Sequence, residues 1–294
     1  MQWGWEMLFA VSGVEISPVI PFGAAFIISF FCAGAGISGA FLLLPWQVSF
    51  LGYTAPGVSA TNQIFNILAC PAGVWKYARE GRLLTPLALA LAAGTFPGVF
   101  IGAFLRVKWL ANPAVFRVFA ALILLLLGIR LLKIRKKNGE GKPWGKVEII
   151  KPLSLQNFIF RFDNTDYTVA FWPIFTLAFF VGIAGGAYGV GGGAIISPFL
   201  VSFFNLPVHA IAGAALFSTF LTSICGVAMF ALLSFFNPAA TPDWQLGFVL
   251  GLGGICGMYL GAACQKYVSA SFIRKMLAWI VIFTASLWLF KSSL

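Results

Sequence analysis

Apolar residues run in eight stretches along the chain, at residues 21–50, 58–75, 83–105, 114–132, 171–204, 210–236, 246–263 and 272–290, four on either side of a polar interval. About 20 apolar residues span the hydrocarbon of a bilayer as a helix, so the pattern predicts a polytopic membrane protein made of helices. The first and fifth stretches reach about 30 residues, too long for one upright span, and each is interrupted by glycine: Gly34-Ala35-Gly36-Ile37-Ser38-Gly39 and Gly185-Gly186-Ala187-Tyr188-Gly189-Val190-Gly191-Gly192-Gly193. An offset of about 153 positions lays Phe26 on Phe179, Gly36 on Gly189, Gly39 on Gly192 and Pro45 on Pro198 without a gap. The expectation is an all-α fold of two homologous repeats, residues 1–132 and 171–294, each of about four hydrophobic segments with the first broken at glycine, joined by a polar cytoplasmic linker at 133–170. Alternating apolar residues at 147–150 and 158–162 of that linker suggest short strands, as in a small hairpin, or surface-lying pieces.

Composition agrees with the pattern. Hydrophobic residues make up 60% of the 294 and charged residues 9%, with a mean hydropathy of +0.95, which in water would expose more apolar surface than a soluble protein carries. Residues 1–17 hold Glu6 and Glu15 but no Lys or Arg, so no basic leader region is evident and the first segment is expected to be retained. The five cysteines lack metal-ligand or disulfide spacing and read as small core residues, with a path for a sulfur-containing substrate beside Cys32 as the other reading.

The charges narrow the function. All eight carboxylates fall in termini or loops by this segmentation; many proton- and cation-coupled carriers keep one inside the bundle, so anions and neutral solutes remain. Basic clusters at Lys76, Arg79 and Arg82, at Arg130 to Lys137, and at Lys266, Arg274 and Lys275 give a net charge of +11 and read as cytoplasmic ends. Those ends fit together only if each broken segment makes a down-and-up pair of half-helices, which makes the two halves inverted repeats. The same scheme places Arg106, Lys108 and Arg117 outside, against the charge rule.

A half-helix that starts at mid-membrane presents unpaired N–H groups and the positive end of its dipole, and so suits an anion. Gly36, Ser38, Gly39, Gly189, Gly191, Gly192 and Gly193 are the candidate contacts, with glycine packing as the alternative reading. Asn62, Gln63 and Asn66 in the first half, and Ser218, Thr219 and Thr222 in the second, are polar positions beside the breaks; the amides either bridge helices or face a hydrated site. The hydroxyls can instead bond their own helix carbonyls. His209, the single histidine, either carries a coupling proton or caps a helix at the interface. Gly94, Gly98 and Gly102 match Gly253, Gly257 and Gly261, and this i, i+4, i+8 spacing predicts close helix packing in lipid.

The motif from Gly189 to Gly193 with Pro198, followed by Leu206-Pro207-Val208-His209-Ala210 and Ser218-Thr219, together with its first-half counterpart, resembles the TauE/SafE family of sulfite exporters and sulfonate permeases across nearly the whole chain. Gly36-Ile37-Ser38-Gly39 and Ala60-Thr61-Asn62-Gln63 depart from that family's usual form. The resemblance implies an inner-membrane permease for sulfite, organosulfonates or other small organic anions, usually exporting and ion-coupled, with H+ as a coupling option. Uptake of such a compound, or a non-transporting membrane subunit or sensor, are the alternatives. No nucleophile–base pair, metal spacing, cofactor motif or nucleic-acid signature is present in the sequence, so an enzyme is not expected. A homodimer is left open.

Overall fold

The computed structural model describes residues 6–34, 37–133, 146–264 and 270–292. Both long apolar stretches are split, so the eight segments become ten α-helices among the described residues: α1 (Val19–Gly34), α2 (Ala40–Ser49), α3 (Gly57–Arg79), α4 (Thr85–Lys108), α5 (Pro113–Lys133), α6 (Phe171–Tyr188), α7 (Gly192–Phe204), α8 (Val208–Ser234), α9 (Trp244–Cys264) and α10 (Ala270–Ser292). Five helical spans are long and apolar enough to cross a membrane: α4, α5, α6, α8, and α9 with the 3-10 turn before it. At 23 residues α3 also has the length, but its buried side carries Ser59, Thr61, Asn62, Gln63 and Asn66. The protein is an all-α polytopic membrane protein.

Without water to drive helices together, packing in lipid depends on close backbone approach, and the glycine series provides it. A β-carbon at Gly253, Gly257 or Gly261 of α9 would fall 2.2, 2.2 or 2.1 Å from the carbonyl oxygens of Phe22, Phe26 and Phe30 of α1. At Gly94, Gly98 and Gly102 of α4 it would fall 2.6, 2.3 and 2.2 Å from those of Phe175, Phe179 and Ile183 of α6. Each series rises along both helices, so α1 runs parallel to α9 and α6 parallel to α4. The first helix of each half therefore lies in a glycine groove on the fourth helix of the other.

The two ends of the bundle are fixed by contacts along α3. At the Thr54 end, a β-carbon on Gly57 would lie 2.2 Å from Thr241 O, and Asp243 just before α9 accepts from Leu246 N–H at 3.0 Å and from Ser12 N–H and Oγ–H at 3.0 and 2.7 Å. That buried carboxylate caps α9 and pins the turn between two short strands, β1 (Met7–Phe9) and β2 (Val14–Ile16), which sequence alone did not suggest. At the opposite end, Arg82 meets His209 on the first turn of α8. By these marks α1 enters from the Thr54 end, reaches Tyr77, whose hydroxyl donates to Ala33 O at 3.3 Å, and α2 climbs back toward Thr54. The pair α6 and α7 does the reverse, reaching Ser59 through Ala187 and returning to His209.

The described part of the linker, residues 146–170, forms an antiparallel sheet of β3 (Val147–Lys151), β4 (Asn157–Phe162) and β5 (Thr165–Ala170). Phe158, Phe160 and Phe162 are buried on one face of β4, as period-two alternation requires. Asp163 and Asn164, both at positive φ, form the tight turn into β5. Across it Arg161 donates to Asp166 at 2.7 Å, a hydrogen bond that holds the Asp166 carboxyl below its usual range.

Candidate substrate site at the paired helix breaks

The second break is made by two backbone conformations open to glycine. Gly189 caps α6 at φ 85, ψ 29, its N–H donating to Gly185 O at 2.8 Å, and Gly191 at φ 65, ψ 145 turns the chain into α7. A helix end inside a membrane leaves carbonyls that hydrocarbon will not satisfy, and α3 supplies the donors. Ser59 Oγ donates to Ala187 O at 3.0 Å, Asn62 Nδ2 to Gly189 O at 2.9 Å, and Asn66 Nδ2 to Val190 O at 2.9 Å. Their spacing of three and four residues sets all three on one face of α3.

The same amides hold the first break. Asn62 Nδ2 also donates to Ala40 O at 2.8 Å, Asn62 Oδ1 accepts from Gln47 Nε2 at 3.1 Å, and Asn66 Oδ1 accepts from Ser38 Oγ at 2.5 Å. Pro45 has no N–H to give Phe41 O, the acceptor one turn back, and the Tyr188 hydroxyl from the end of α6 donates to that carbonyl at 2.8 Å. The two breaks, about 153 residues apart in sequence, thus meet on one face of α3.

On the other side the second break rests on α8. A β-carbon at Gly193 would fall 2.1 Å from Ala215 O and 2.4 Å from Thr219 Oγ1, and one at Gly191 would fall 2.9 Å from Ser223 Oγ and 3.1 Å from Thr222 Oγ1. At Gly192 it would meet Thr95 Cγ2 of α4 at 2.2 Å, and at Gly39 it would meet Ser29 Oγ at 3.0 Å. Thr219 and Thr222 hydroxyls bond their own helix, to Ala215 O at 2.9 Å and Ser218 O at 2.8 Å. The Oγ atoms of Ser218 and Ser223 and both carboxamide atoms of Gln63 are buried with no hydrogen-bond partner among the described residues.

Of the residues singled out from sequence, Ser38, Gly39, Asn62, Asn66, Gly189, Gly191, Gly192, Gly193, Thr219 and Thr222 come together around the breaks. Gln63 lies one turn along α3 from Ser59, against Gly226 of α8, and Ser218 is buried on α8 next to Thr219. Gly36 lies outside the described residues. His209 stands apart: ten residues of α8 separate it from Thr219, about 15 Å along a helix. There its Nδ1 sits 3.3 Å from Arg82 Nη2, and Arg82 also pairs with Glu80 at 3.0 Å.

Sequence reasoning missed Arg106, which it assigned to an outer loop. α4 continues to Lys108, and Arg106 is fully buried in its last turn. Its guanidinium donates from Nε to Ser59 Oγ at 3.3 Å, from Nη2 to Thr54 O at 3.2 Å and from Nη1 to Leu110 O, and lies 3.6 Å over the Phe116 ring. The signal was present: Arg106 is the next step after Gly94, Gly98 and Gly102, on the same inward face.

A cavity of about 580 Å³ opens elsewhere, between α1, α2 and α10. Its walls are apolar apart from Ser49 and Thr284, so it reads as a lipid-facing groove and not as a chamber for an anion.

Comparison with known proteins gives the site a context. Over 194 residues the chain is 26% identical to a protein of Bacillus subtilis (strain 168) described as "Probable membrane transporter protein YunE", the match covering 64% of this chain and 64% of that one. No solved structure matches. Residues 21–287, which include both breaks and the α3 face between them, match the family described as sulfite exporter TauE/SafE, and the chain belongs to that family.

Proposed function

We propose that the protein is a secondary carrier of small oxyanions, exporting sulfite or organosulfonates across the inner membrane by alternating access. The observation that carries this reading is Asn62, whose one amide group donates to Ala40 O and Gly189 O and so joins two interrupted helices inside the bundle. Broken helices meeting there are the usual setting of a carrier's substrate site. The residues around it are polar and uncharged apart from Arg106, which favours an anion over a cation. Two halves, residues 1–132 and 171–294, related as inverted repeats, rock about this point. The reciprocal glycine seams support that arrangement, because each half presents the same groove to the other's first helix. Family membership supports sulfite or sulfonate as cargo and export as the direction.

Flux of labelled sulfite, sulfoacetate and taurine into vesicles containing the purified protein tests the reading, with and without a pH gradient. Saturable uptake of one of them, competed by the others, is expected. Folded protein that moves none of them would shift the assignment to a different solute or to a sensor.

A further inference from the structure

Arg106 and its surroundings are costly as pure structure. Among the described residues no carboxylate pairs with this buried cation. Asp243, the buried acid at the same end of the bundle, is occupied by Ser12 and by the first turn of α9. Two carbonyls, a hydroxyl, the Phe116 ring and the negative end of α4 moderate the charge but do not neutralise it. The guanidinium also has N–H groups beyond the three already engaged.

A second observation lies one helical turn away. Gln63 follows Ser59 on α3, fully buried, with both carboxamide atoms unpartnered. It is accommodated only because residue 226 is glycine: a β-carbon there would fall 1.8 Å from Gln63 Oε1. Ser223, one turn before Gly226 on α8, is fully buried with its hydroxyl unpartnered and borders Gly191 of the second break. Ser59 links them, since it accepts from Arg106 and stands one turn before Gln63 on α3, and a charge without a counter-charge near polar groups without partners is the composition of a binding site. Folding alone would favour apolar side chains at these positions.

We infer that Arg106, Gln63 and Ser223 form the oxyanion-binding site, on the Thr54 side of the second break. This rests on the carrier reading above and names the charge that selects its cargo. The planar guanidinium suits two oxygens of a sulfite, sulfonate or carboxylate group, and the Gln63 Nε2 and Ser223 hydroxyl donors suit the rest. One step beyond Gly261, where the other glycine series reaches the position equivalent to Arg106, the sequence has Gln265.

The test compares labelled-sulfite flux and thermal unfolding for the natural chain, Arg106→Lys, Ser223→Ala and Gln63→Leu. Arg106→Lys keeps the charge but loses the planar fork, and the KM for sulfite is expected to rise about tenfold or more, with discrimination against chloride reduced. Gln63→Leu removes two unpartnered polar atoms and none of the described hydrogen bonds. It is expected to unfold at a higher temperature than the natural chain while its KM rises, and it carries the test if Arg106→Lys does not fold. A KM within about twofold of the natural value in Gln63→Leu and Ser223→Ala, with natural flux intact, would overturn this site and leave the carrier reading standing. A folded natural chain that moves none of sulfite, sulfoacetate and taurine would overturn both.

Discussion

Asn62, Gln63 and Asn66 carry the same amide chemistry within five residues, yet the fold uses them in two ways. A helix turns by about 100° per residue, so Asn62 and Asn66 share a face and reach both breaks, while Gln63 points across to Gly226 on α8. Replacing Asn62 by Leu strands Ala40 O, Gly189 O and the Gln47 amide together, and is expected to lower unfolding stability by about 2 kcal/mol. Tyr188→Phe strands only Phe41 O and should cost about 1 kcal/mol, at the low end for a buried carbonyl because a chain unfolded in the membrane finds other partners. Thermal unfolding in detergent measures both, and equal values for the two variants would contradict the ranking. Sequence alone left both roles open for these amides because it placed them near the breaks but gave no direction to each side chain. Arg106 falls outside the apolar run at 83–105 for a related reason: a charge ends a hydropathy stretch, whereas the helix carries its glycine face one turn further.

The helices are held by seams whose tolerance differs from glycine to glycine. Gly257→Ala would set a β-carbon against Phe26 O, and Gly98→Ala would set one against Phe179 O, at 2.2 and 2.3 Å; since backbone on both sides must move, each is expected to destabilise by about 1–3 kcal/mol or more. Gly23, in the same α1 that Gly257 packs against, has nothing within 4 Å of an added β-carbon. Gly23→Ala should therefore be neutral or stabilising by up to about 1 kcal/mol, as the helix propensities of the two residues require. If all three substitutions shift the unfolding temperature alike, the seams do not hold the helices together. These seams were legible in the sequence as small residues at every fourth position, and so were the broken helices. The strands β1 and β2 were not, because three residues each are too few to show a period, and their position depends on Asp243 at the far side of the chain.

At the scale of the whole molecule, the proposed inverted arrangement has to be reconciled with the distribution of positive charge. Lys76 and Arg79 lie at the Arg82 end of α3, and Arg130 and Lys133 at the end of α5 that follows its passage from Pro113. The Thr54 end has Arg106, Lys108 and Arg117, which against the positive-inside rule looked like too many. Arg106 is inside the protein, bonded to Ser59, Thr54 O and Leu110 O, so it does not act as a free loop charge, and the balance favours the Arg82 end as cytoplasmic. The proposed inverted arrangement then has α1 and α2 enter and leave from outside and α6 and α7 from inside. Single cysteines at Lys76 and Ala239, introduced after the five native cysteines are replaced, should then be labelled by a membrane-impermeant reagent from opposite sides, Ala239→Cys in intact cells and Lys76→Cys only after the membrane is opened. Labelling of both from one side would mean that α3 and α8 do not run antiparallel across the bilayer, and the inverted-repeat mechanism would fall with it.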